Sequence, residues 1–247
     1  MQQHPQLTLA LDTAPATTFT SFHVDENNLM VRDAVRAFVN GKLDDSQIFL
    51  WGDEGTGKSH LLSAACEQMY AAGFRTAYVP GEWVNSEGAL SGMETCELLC
   101  IDDLQRLDHA TEVELFHCIN RCRDRGARIL LAADRSPDKL GVRLPDLQTR
   151  LSWGLVYQAQ HLGEDGLQTA LRREIELRSL SASNEVVTFM LRRFPRRMAT
   201  LKRVVDTLDK VSLSEQRHIT IPLIKSVFSD TTRVALFELG EPFDLAK

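Results

Sequence analysis

The residues best suited to chemistry form a glycine-rich loop in the first quarter of the chain. Residues 52–59 read GDEGTGKS and fit the pattern GxxxxGK(S/T) without a mismatch. In such a loop the glycines let backbone N–H groups curl around phosphate oxygens, Lys58 reaches the β and γ phosphates, and Ser59 can hold Mg²⁺. The loop therefore predicts a nucleotide site, with a glycine-rich turn that matches by chance as the alternative. The candidate binding residues are Gly52, Glu54, Gly55, Thr56, Gly57, Lys58, Ser59 and His60.

Carboxylates follow two apolar runs further along the chain. Residues 98–101 read LLCI and are followed by Asp102, the expected Mg²⁺ partner, because a P-loop needs an acidic residue on a neighbouring strand. Asp103 stands where a base orients a water molecule, but it is one methylene shorter than glutamate, so we expect slow hydrolysis of the protein's own nucleotide. A solvated acidic turn is the alternative. Asp134 follows the run at 128–133 and is a candidate sensor of water or phosphate, with an ordinary turn as the alternative.

The elements that must position these residues alternate between short apolar runs and helical patterns. Strands are predicted at 47–51, 76–79, 96–101 and 128–133, and helices at 29–39 and 61–70. Short apolar strands that alternate with helices predict an α/β fold, in which helices cover a parallel sheet on both faces.

From about residue 163 the pattern becomes wholly helical. Helices are predicted at 165–180, 183–194, 196–211 and 221–228, which indicates a second, all-helical domain. Asn184 is the expected N-cap of the second of these helices, and Pro222 falls early in the last, where proline is tolerated. We divide the chain into a flexible tail at 1–17, a nucleotide-binding core at 18–162, a helical domain at 163–230 and a C-terminal tail of unknown role at 231–247.

Composition narrows the class of protein. The 247 residues include 28 Lys and Arg against 34 Asp and Glu, a net charge of −6, which disfavours stand-alone DNA binding. The 43% of hydrophobic residues is ordinary globular usage. Five cysteines without a CxxC pair predict reduced, buried thiols, with a metal site at His117, Cys118 and Cys122 as the alternative. Without a signal-peptide pattern or an apolar run of about 18 residues, we expect a cytoplasmic protein that does not enter a membrane.

Five sequence motifs together are similar to those of AAA+ ATPases, and more narrowly to those of the AAA+ domain of the bacterial replication initiator DnaA. They are FTSF at 19–22, GDEGTGKS at 52–59, LCIDDL at 99–104, LAADRSP at 131–137 and LQTRLSWGL at 147–155. The resemblance spans residues 19–228 and implies an AAA+ P-loop NTPase core followed by a helical lid. It also implies an adenine nucleotide, ADP or ATP, with Mg²⁺ as cofactor, and an adenine pocket that contains Phe22 and Val24.

The resemblance also implies two arginine positions, one that acts in trans and one in the lid that senses nucleotide. In such proteins the arginine before a Trp-Gly pair acts in trans on a neighbour's nucleotide, and Arg150 matches it. A guanidinium suits this role because it stays charged and stabilises the transferring phosphoryl group; a surface arginine paired with Asp146 is the alternative. The lid arginine that senses nucleotide aligns with Ala199, a departure that puts such sensing in doubt. Arg196 and Arg197 precede that position and can substitute only if the helix is shifted or rotated.

The first residues contain a candidate partner contact. The segment QLTLAL, with Gln6, Leu7, Leu9 and Leu11, resembles the QLxLxL-type peptides that dock in the groove of the replicative sliding clamp. A chance apolar hexapeptide is the alternative. DnaA continues into a DNA-binding domain, whereas this chain ends soon after the lid, so it resembles the regulatory inactivators within this family. The resemblance implies DnaA and the sliding clamp as partners, with DNA contacted mainly through the clamp and a homo-oligomer left open.

The function expected from these residues is negative regulation of chromosomal replication initiation, by stimulating hydrolysis of DnaA-bound ATP in trans. An autonomous AAA+ ATPase, resembling a helicase loader or a remodelling motor, is the main alternative. The basic run at 192–203 leaves a DNA-binding relative of the initiator open, although a solvated helix face is the simpler explanation of that run. An interaction adaptor with a vestigial nucleotide pocket is a further alternative.

Overall fold

The computed structural model of the chain describes residues 17–212 and 218–228. Its centre is a sheet of five strands, β1 (Gln47–Trp51), β2 (Thr76–Val79), β3 (Leu98–Ile101), β4 (Arg128–Ala133) and β5 (Leu155–Gln158). They lie in the order β2-β3-β4-β1-β5, and all neighbouring pairs are parallel. Four of the strands were expected; β3 begins two residues later than predicted. The edge strand β5 is absent from the prediction because it has no fully buried residue and its apolar signal is weak.

Helices cover both faces of the sheet, as the side chains of β1 illustrate. The helices of this part are α1 (Leu29–Val39), α2 (Lys58–Ala71), α3 (His109–Asp124) and α4 (Pro145–Leu151). Ile48 and Leu50 pack with α1 and α2, whereas Phe49 between them packs with α3 and α4. All three side chains are fully buried. Because successive residues of a strand face opposite sides, a continuous apolar run is what such a doubly covered sheet requires. The predicted α/β fold is confirmed.

The strand order brings the candidate residues together. The glycine-rich loop follows β1, Asp102 follows β3 and Asp134 follows β4, and these three strands are neighbours in the sheet. The carboxyl ends of parallel strands meet at one edge, which is where ligands bind in open α/β sheets.

The lid has a hydrophobic core of its own. Its helices are α5 (Glu164–Leu177), α6 (Asn184–Arg193), α7 (Met198–Ser212) and α8 (Ile221–Val227). Leu171, Val187 and Leu201, from three of these helices, are fully buried in one cluster. Two short strands, β6 (Ser181–Ala182) and β7 (His218–Ile219), pair in parallel and correct the expectation of a wholly helical lid. Strands of two residues are too short to leave an alternating pattern in the sequence.

The helix starts of the lid differ in one detail from the prediction. The N-cap of α6 is Ser183, whose hydroxyl accepts a hydrogen bond from the backbone N–H of Val186, while Asn184 is the first helical residue. The prediction of Asn184 as N-cap is therefore wrong by one residue; serine and asparagine cap helices comparably well, so the sequence does not separate them. Pro222 lies in the first turn of α8, as predicted.

The cysteines are free thiols. Cys100, Cys118 and Cys122 are buried, whereas Cys66 and Cys96 are only partly buried. Within residues 17–212 and 218–228, His, Cys, Asp and Glu side chains form no cluster of three or more that is suited to a metal ion. In the same part of the chain, every helix is too short or too polar to cross a lipid bilayer.

Candidate nucleotide site

The glycine-rich loop is closed by its own lysine. The Nζ of Lys58 donates hydrogen bonds to the carbonyls of Gly52, at 2.7 Å, and Asp53, at 2.9 Å. Burial lowers the pKa of Lys58, and Asp102 opposes this effect most strongly among the nearby carboxylates. A buried cation is thus held among loop carbonyls at the place where a P-loop binds phosphate.

Gly57 shows why this loop needs glycine. Its φ is +92°, a left-handed conformation, and a Cβ atom there would lie 2.6 Å from the ring of Phe22. The residue stands directly before α2, so the N-terminus of that helix faces the loop. The positive potential of the helix end favours an anion at the loop, and the ring of Phe22 lies directly beside it.

The carboxylates after β3 and β4 lie near enough to Lys58 for their charges to favour its protonated form. Asp102 is 3% exposed; its Oδ2 accepts a hydrogen bond from the hydroxyl of Tyr78 at 3.0 Å, and its Oδ1 accepts one from the N–H of Asp103 at 2.9 Å. Burial, and then the charge of Asp102, raise the pKa of Tyr78, so its hydroxyl stays protonated and donates. In the described part of the chain the Oδ1 atom of Asp134 is buried without a hydrogen-bond partner. These carboxylate oxygens fit the hard ligands that Mg²⁺ prefers.

Asp103 is turned toward its own loop. It has a φ of +50°, and its carboxylate accepts a hydrogen bond from Gln105 at 2.9 Å and lies 3.7 Å from the guanidinium of Arg106. The carbonyl oxygen of the Gln105 side chain accepts a hydrogen bond from the N–H of Asp134, so one side chain bridges the two loops.

A cleft of about 480 Å³, open to solvent, lies between the loop, the segment before α1 and the lid. Phe22 forms one wall and makes an edge-to-face contact with His60, whose Nε2 lies 2.9 Å from the carbonyl oxygen of Thr18. Burial lowers the pKa of His60. The lining residues include Gly55, Thr56, Gly57, His161, Leu167, Arg196, Met198 and Lys202.

Other predicted binding residues differ in their placement. Thr56 is buried, and its hydroxyl donates to the carbonyl of Asp53 at 2.9 Å, whereas Glu54 and Ser59 are exposed. Val24 is 36% exposed and does not line the cleft. The assignment of Val24 to the adenine pocket stays a prediction. The clamp-like residues Gln6, Leu7, Leu9 and Leu11 lie outside the described residues.

Glu174 joins the lid to the segment that carries Phe22. Its carboxylate, 5% exposed, lies 2.8 Å from the Nε2 of His23, 2.8 Å from Arg178 and 3.1 Å from the Nζ of Lys202. Burial by itself would raise the pKa of Glu174, but these partners outweigh it and lower the pKa to about 2. The ionised carboxylate therefore lies next to the cleft and ties its walls together.

The lid arginines approach the phosphate side of the site. Arg197 packs its side chain within 3.6–3.7 Å of the position that a Cβ on Gly55 would take, and its Nη1 donates to Glu54 at 3.1 Å. Arg196 lines the cleft, whereas Ala199, the position aligned with the sensor arginine, is exposed. Both arginines precede the start of α7 at Met198. Arg197 reaches the loop from the turn before the helix, whereas Arg196 lies 3.6 Å from Glu164 of α5. Whether either arginine replaces the sensor arginine stays a prediction.

Arg150 lies at the other end of β1. The side-chain Nε2 of Gln47, the first residue of β1, donates to the carbonyls of Arg150, Leu151 and Trp153 at 2.8–3.2 Å, whereas the glycine-rich loop follows the last residue of β1. The guanidinium carbon of Arg150 lies 3.7 Å from the ring centroid of Trp153, and in the described part of the chain it makes no ion pair with Asp146.

Comparison with known proteins identifies the architecture. Residues 13–158 match the model of the bacterial DnaA ATPase domain, which is more than half of the chain. The chain belongs to the DnaA ATPase-domain family. Residues 164–228 match the model of the lid domain of Hda. The DnaA-like AAA+ fold that the sequence motifs imply is confirmed, and the family supports a function connected with the initiation of DNA replication.

Solved structures agree with this family. Domain III of DnaA from Thermotoga maritima is 23% identical, with a TM-score of 0.77, and the match covers 88% of this chain and 97% of that one. AMPPCP-bound DnaA from Aquifex aeolicus is 25% identical, with a TM-score of 0.68, and the match covers 81% of this chain and 66% of that one. RuvB from Thermotoga maritima, at 17% identity and a TM-score of 0.66, shares the fold; the match covers 86% of this chain and 71% of that one.

Several residues of this DnaA-family site carry no signal in the sequence. In the sequence, Tyr78 looks like any other strand residue. In the structure, its register in β2 places it beside β3, the strand that Asp102 follows. His23 and Glu174 are 151 positions apart, and no local pattern relates them. Only the packing of the lid onto the core reveals that contact.

Proposed function

We propose that this protein is a negative regulator of replication initiation that binds an adenine nucleotide with Mg²⁺ and stimulates hydrolysis of ATP bound to DnaA. The observation that carries the proposal is the location of Arg150. β1 separates it from the glycine-rich loop, and five strand residues span roughly 16 Å at about 3.3 Å each. Arg150 is therefore poorly placed for its own nucleotide, which supports a role at the nucleotide of a neighbour.

The chemistry that Arg150 brings is electrostatic. A guanidinium that enters a neighbour's site stabilises the charge that develops on the transferring phosphoryl group, and such a finger contributes on the order of 10³-fold or more to kcat. The backbone that carries Arg150 is held in place, because the side chain of Gln47 donates hydrogen bonds to three carbonyls of this turn. In this proposal the product is DnaA with bound ADP.

The protein's own nucleotide has an organising role in this proposal. Lys58 and the N-terminus of α2 bind its phosphates, Asp102 and Ser59 hold Mg²⁺, and Arg196 and Arg197 contact it from the lid. Asp103 is engaged with Gln105 and Arg106, which supports slow turnover at this site. Because the cleft lies between core and lid, a bound nucleotide favours one arrangement of the two. We expect ADP to serve this role.

The remaining part of the proposal is a tether. The segment QLTLAL, residues 6–11, would dock in the groove of the DNA-loaded sliding clamp through Gln6 and the alternating leucines. A tether of this kind raises the effective concentration of Arg150 near DnaA on the same DNA.

The decisive experiment loads DnaA with labelled ATP, adds clamp on DNA, and follows conversion to ADP in the presence of this protein with ADP. We expect the wild type to stimulate the conversion and Arg150→Ala to abolish that stimulation. For Gln6→Ala/Leu9→Ala we expect the loss only under conditions in which the conversion depends on the clamp. The exposed arginine variant Arg36→Ala, in the last turn of α1, is the matched control and keeps full stimulation. No stimulation by the wild type, with clamp shown to be on DNA, refutes the proposal.

An autonomous ATPase is the second candidate. The carboxylates of Asp102 and Asp134 lie near Lys58, as hydrolysis of a nucleotide at this site would require. Steady turnover without DnaA that disappears in Lys58→Ala would favour it. Equal DnaA stimulation by nucleotide-free and ADP-loaded protein would remove the organising role of the nucleotide and leave the trans role of Arg150 standing.

A further inference from the structure

The side chains of Arg123, Trp153 and Arg150 form a stack at the end of β1 away from the glycine-rich loop. The guanidinium carbon of Arg123 lies 3.9 Å from the ring centroid of Trp153, and that of Arg150 lies 3.7 Å from the same centroid. Two planar groups this close to one centroid would overlap on a single face. They therefore occupy opposite faces, and the indole ring is sandwiched between two cations.

The backbone on which the stack rests is tightly held. Gln47 donates to the carbonyls on both sides of this turn, and Gly154, directly after Trp153, lies so close that a Cβ would come within 2.3 Å of the carbonyl oxygen of Gln47. Trp153 as a whole is 37% exposed. Its backbone is thus fixed, while its side-chain orientation depends on what packs against its two faces.

Arg123 is committed to this packing. It comes from the last turn of α3, its Nη1 is buried, and that atom has no hydrogen-bond partner in the described part of the chain. Burial, and then the charge of Arg150, lower the pKa of Arg123. The guanidinium of Arg123 lacks a hydrogen bond at this atom and lies across the ring from a second cation. Stacking on the aromatic face therefore holds it in place.

We infer that Arg123 is a positioning residue for Arg150: it fixes the indole ring of Trp153, and that ring presents the guanidinium of Arg150 to the neighbour's nucleotide. This inference rests on the proposed trans role of Arg150. Arg123 acts through Trp153 and does not touch the neighbour's phosphates. Its replacement therefore lowers the rate of the chemical step more than the affinity for the neighbour.

The first test measures hydrolysis of DnaA-bound ATP against the concentration of this protein. For Arg123→Leu we expect a maximal rate about two- to fivefold lower, the effect of one cation–π contact at a partly exposed site, with an unchanged half-saturating concentration. Arg123→Lys keeps the charge but not the planar stack, so it restores less than half of the loss. Arg125→Leu, at an exposed arginine just after α3, is the matched control and behaves as the wild type.

The second test needs no partner. Nuclei above an aromatic ring resonate upfield, so the Arg150 side-chain signals of the free protein report the stack by NMR. We expect their upfield shift to vanish in Trp153→Leu and to weaken in Arg123→Leu, with thermal unfolding recorded to show that both variants fold.

The two tests separate the inference from the function on which it rests. Absence of stimulation by the wild type, with the NMR shifts as expected, refutes the trans role and keeps the stack. Unaltered Arg150 signals in Arg123→Leu overturn the inference even when the wild type stimulates. A higher half-saturating concentration at an unchanged maximal rate overturns it too, since Arg123 would then be a contact to the neighbour, and full rescue by Arg123→Lys would show that charge alone is needed.

Discussion

Replacing Glu174 with glutamine removes the charge at the centre of the contact between the lid and the segment before α1. The carboxylate lies within 3.1 Å of His23, Arg178 and Lys202 and is almost completely buried. Glutamine has nearly the same shape, so the substitution tests the charge without leaving a cavity. It leaves the cation of Lys202, which is 33% exposed, facing a neutral group in the otherwise buried contact.

The size of the effect follows from the pKa of Glu174, which lies at about 2 in the folded protein against an ordinary value of 4.5. At about 1.36 kcal/mol for each pKa unit, the ionised form contributes on the order of 3 kcal/mol to the free energy of unfolding. The folded-state pKa is the lower one, so this contribution is complete above about pH 5. It is lost as the pH falls from about 4.5 toward 2.

The assay is urea denaturation of the wild type and of Glu174→Gln between pH 7 and pH 3. We expect the variant to be less stable by on the order of 3 kcal/mol at pH 7, with the difference shrinking below pH 4.5. Glu176→Gln, at an exposed position of the same helix, is the control and stays within about 0.5 kcal/mol of the wild type. Parallel pH profiles for the wild type and Glu174→Gln would refute the assignment of a lowered pKa to Glu174.

Three further substitutions test the site and the lid. Gly57→Ala sets a Cβ against the ring of Phe22 at a left-handed φ, so we expect ADP binding to fall below detection in calorimetry and stability to drop by about 1–3 kcal/mol. Tyr78→Phe removes the hydrogen bond that orients Asp102; a Mg²⁺ titration of ADP binding should shift severalfold, and binding without Mg²⁺ should stay within about twofold. Ser183→Ala removes the N-cap of α6 and should lower the free energy of unfolding by about 1 kcal/mol in urea denaturation.

Local patterns predicted the parts of the site that are contiguous in the chain. The phosphate loop depends on glycines at fixed spacing and on the helix that follows, and all of these lie within one short stretch of sequence. Asp102 and Asp134 follow from the same reasoning, because buried apolar strands are visible in the sequence and their carboxyl ends meet at one edge. The weak edge strand β5 and the two-residue strands of the lid leave too little signal for this method.

In the lid, residue spacing alone does not tell which arginine lies near the phosphate loop. Counting residues puts Ala199 on the sensor position, which stays a prediction, and in the structure Arg196 lines the cleft while Arg197 packs on Gly55 of the phosphate loop. Both lie in the turn before α7, and the direction of that turn is set by how the lid packs on the core. That direction cannot be read from the sequence, because the turn is not part of a regular helix.

By itself, the sequence determined the α/β class, the glycine-rich loop, the carboxylates that follow β3 and β4, and the arginine before the Trp-Gly pair. The tertiary structure decided which distant residues meet: Glu174 with His23, and Arg123 with Trp153. The physical reason is that loop conformation and strand burial are properties of a few consecutive residues. A contact across the chain exists only when two separately folded surfaces pack, and its energy depends on a geometry that no local pattern encodes.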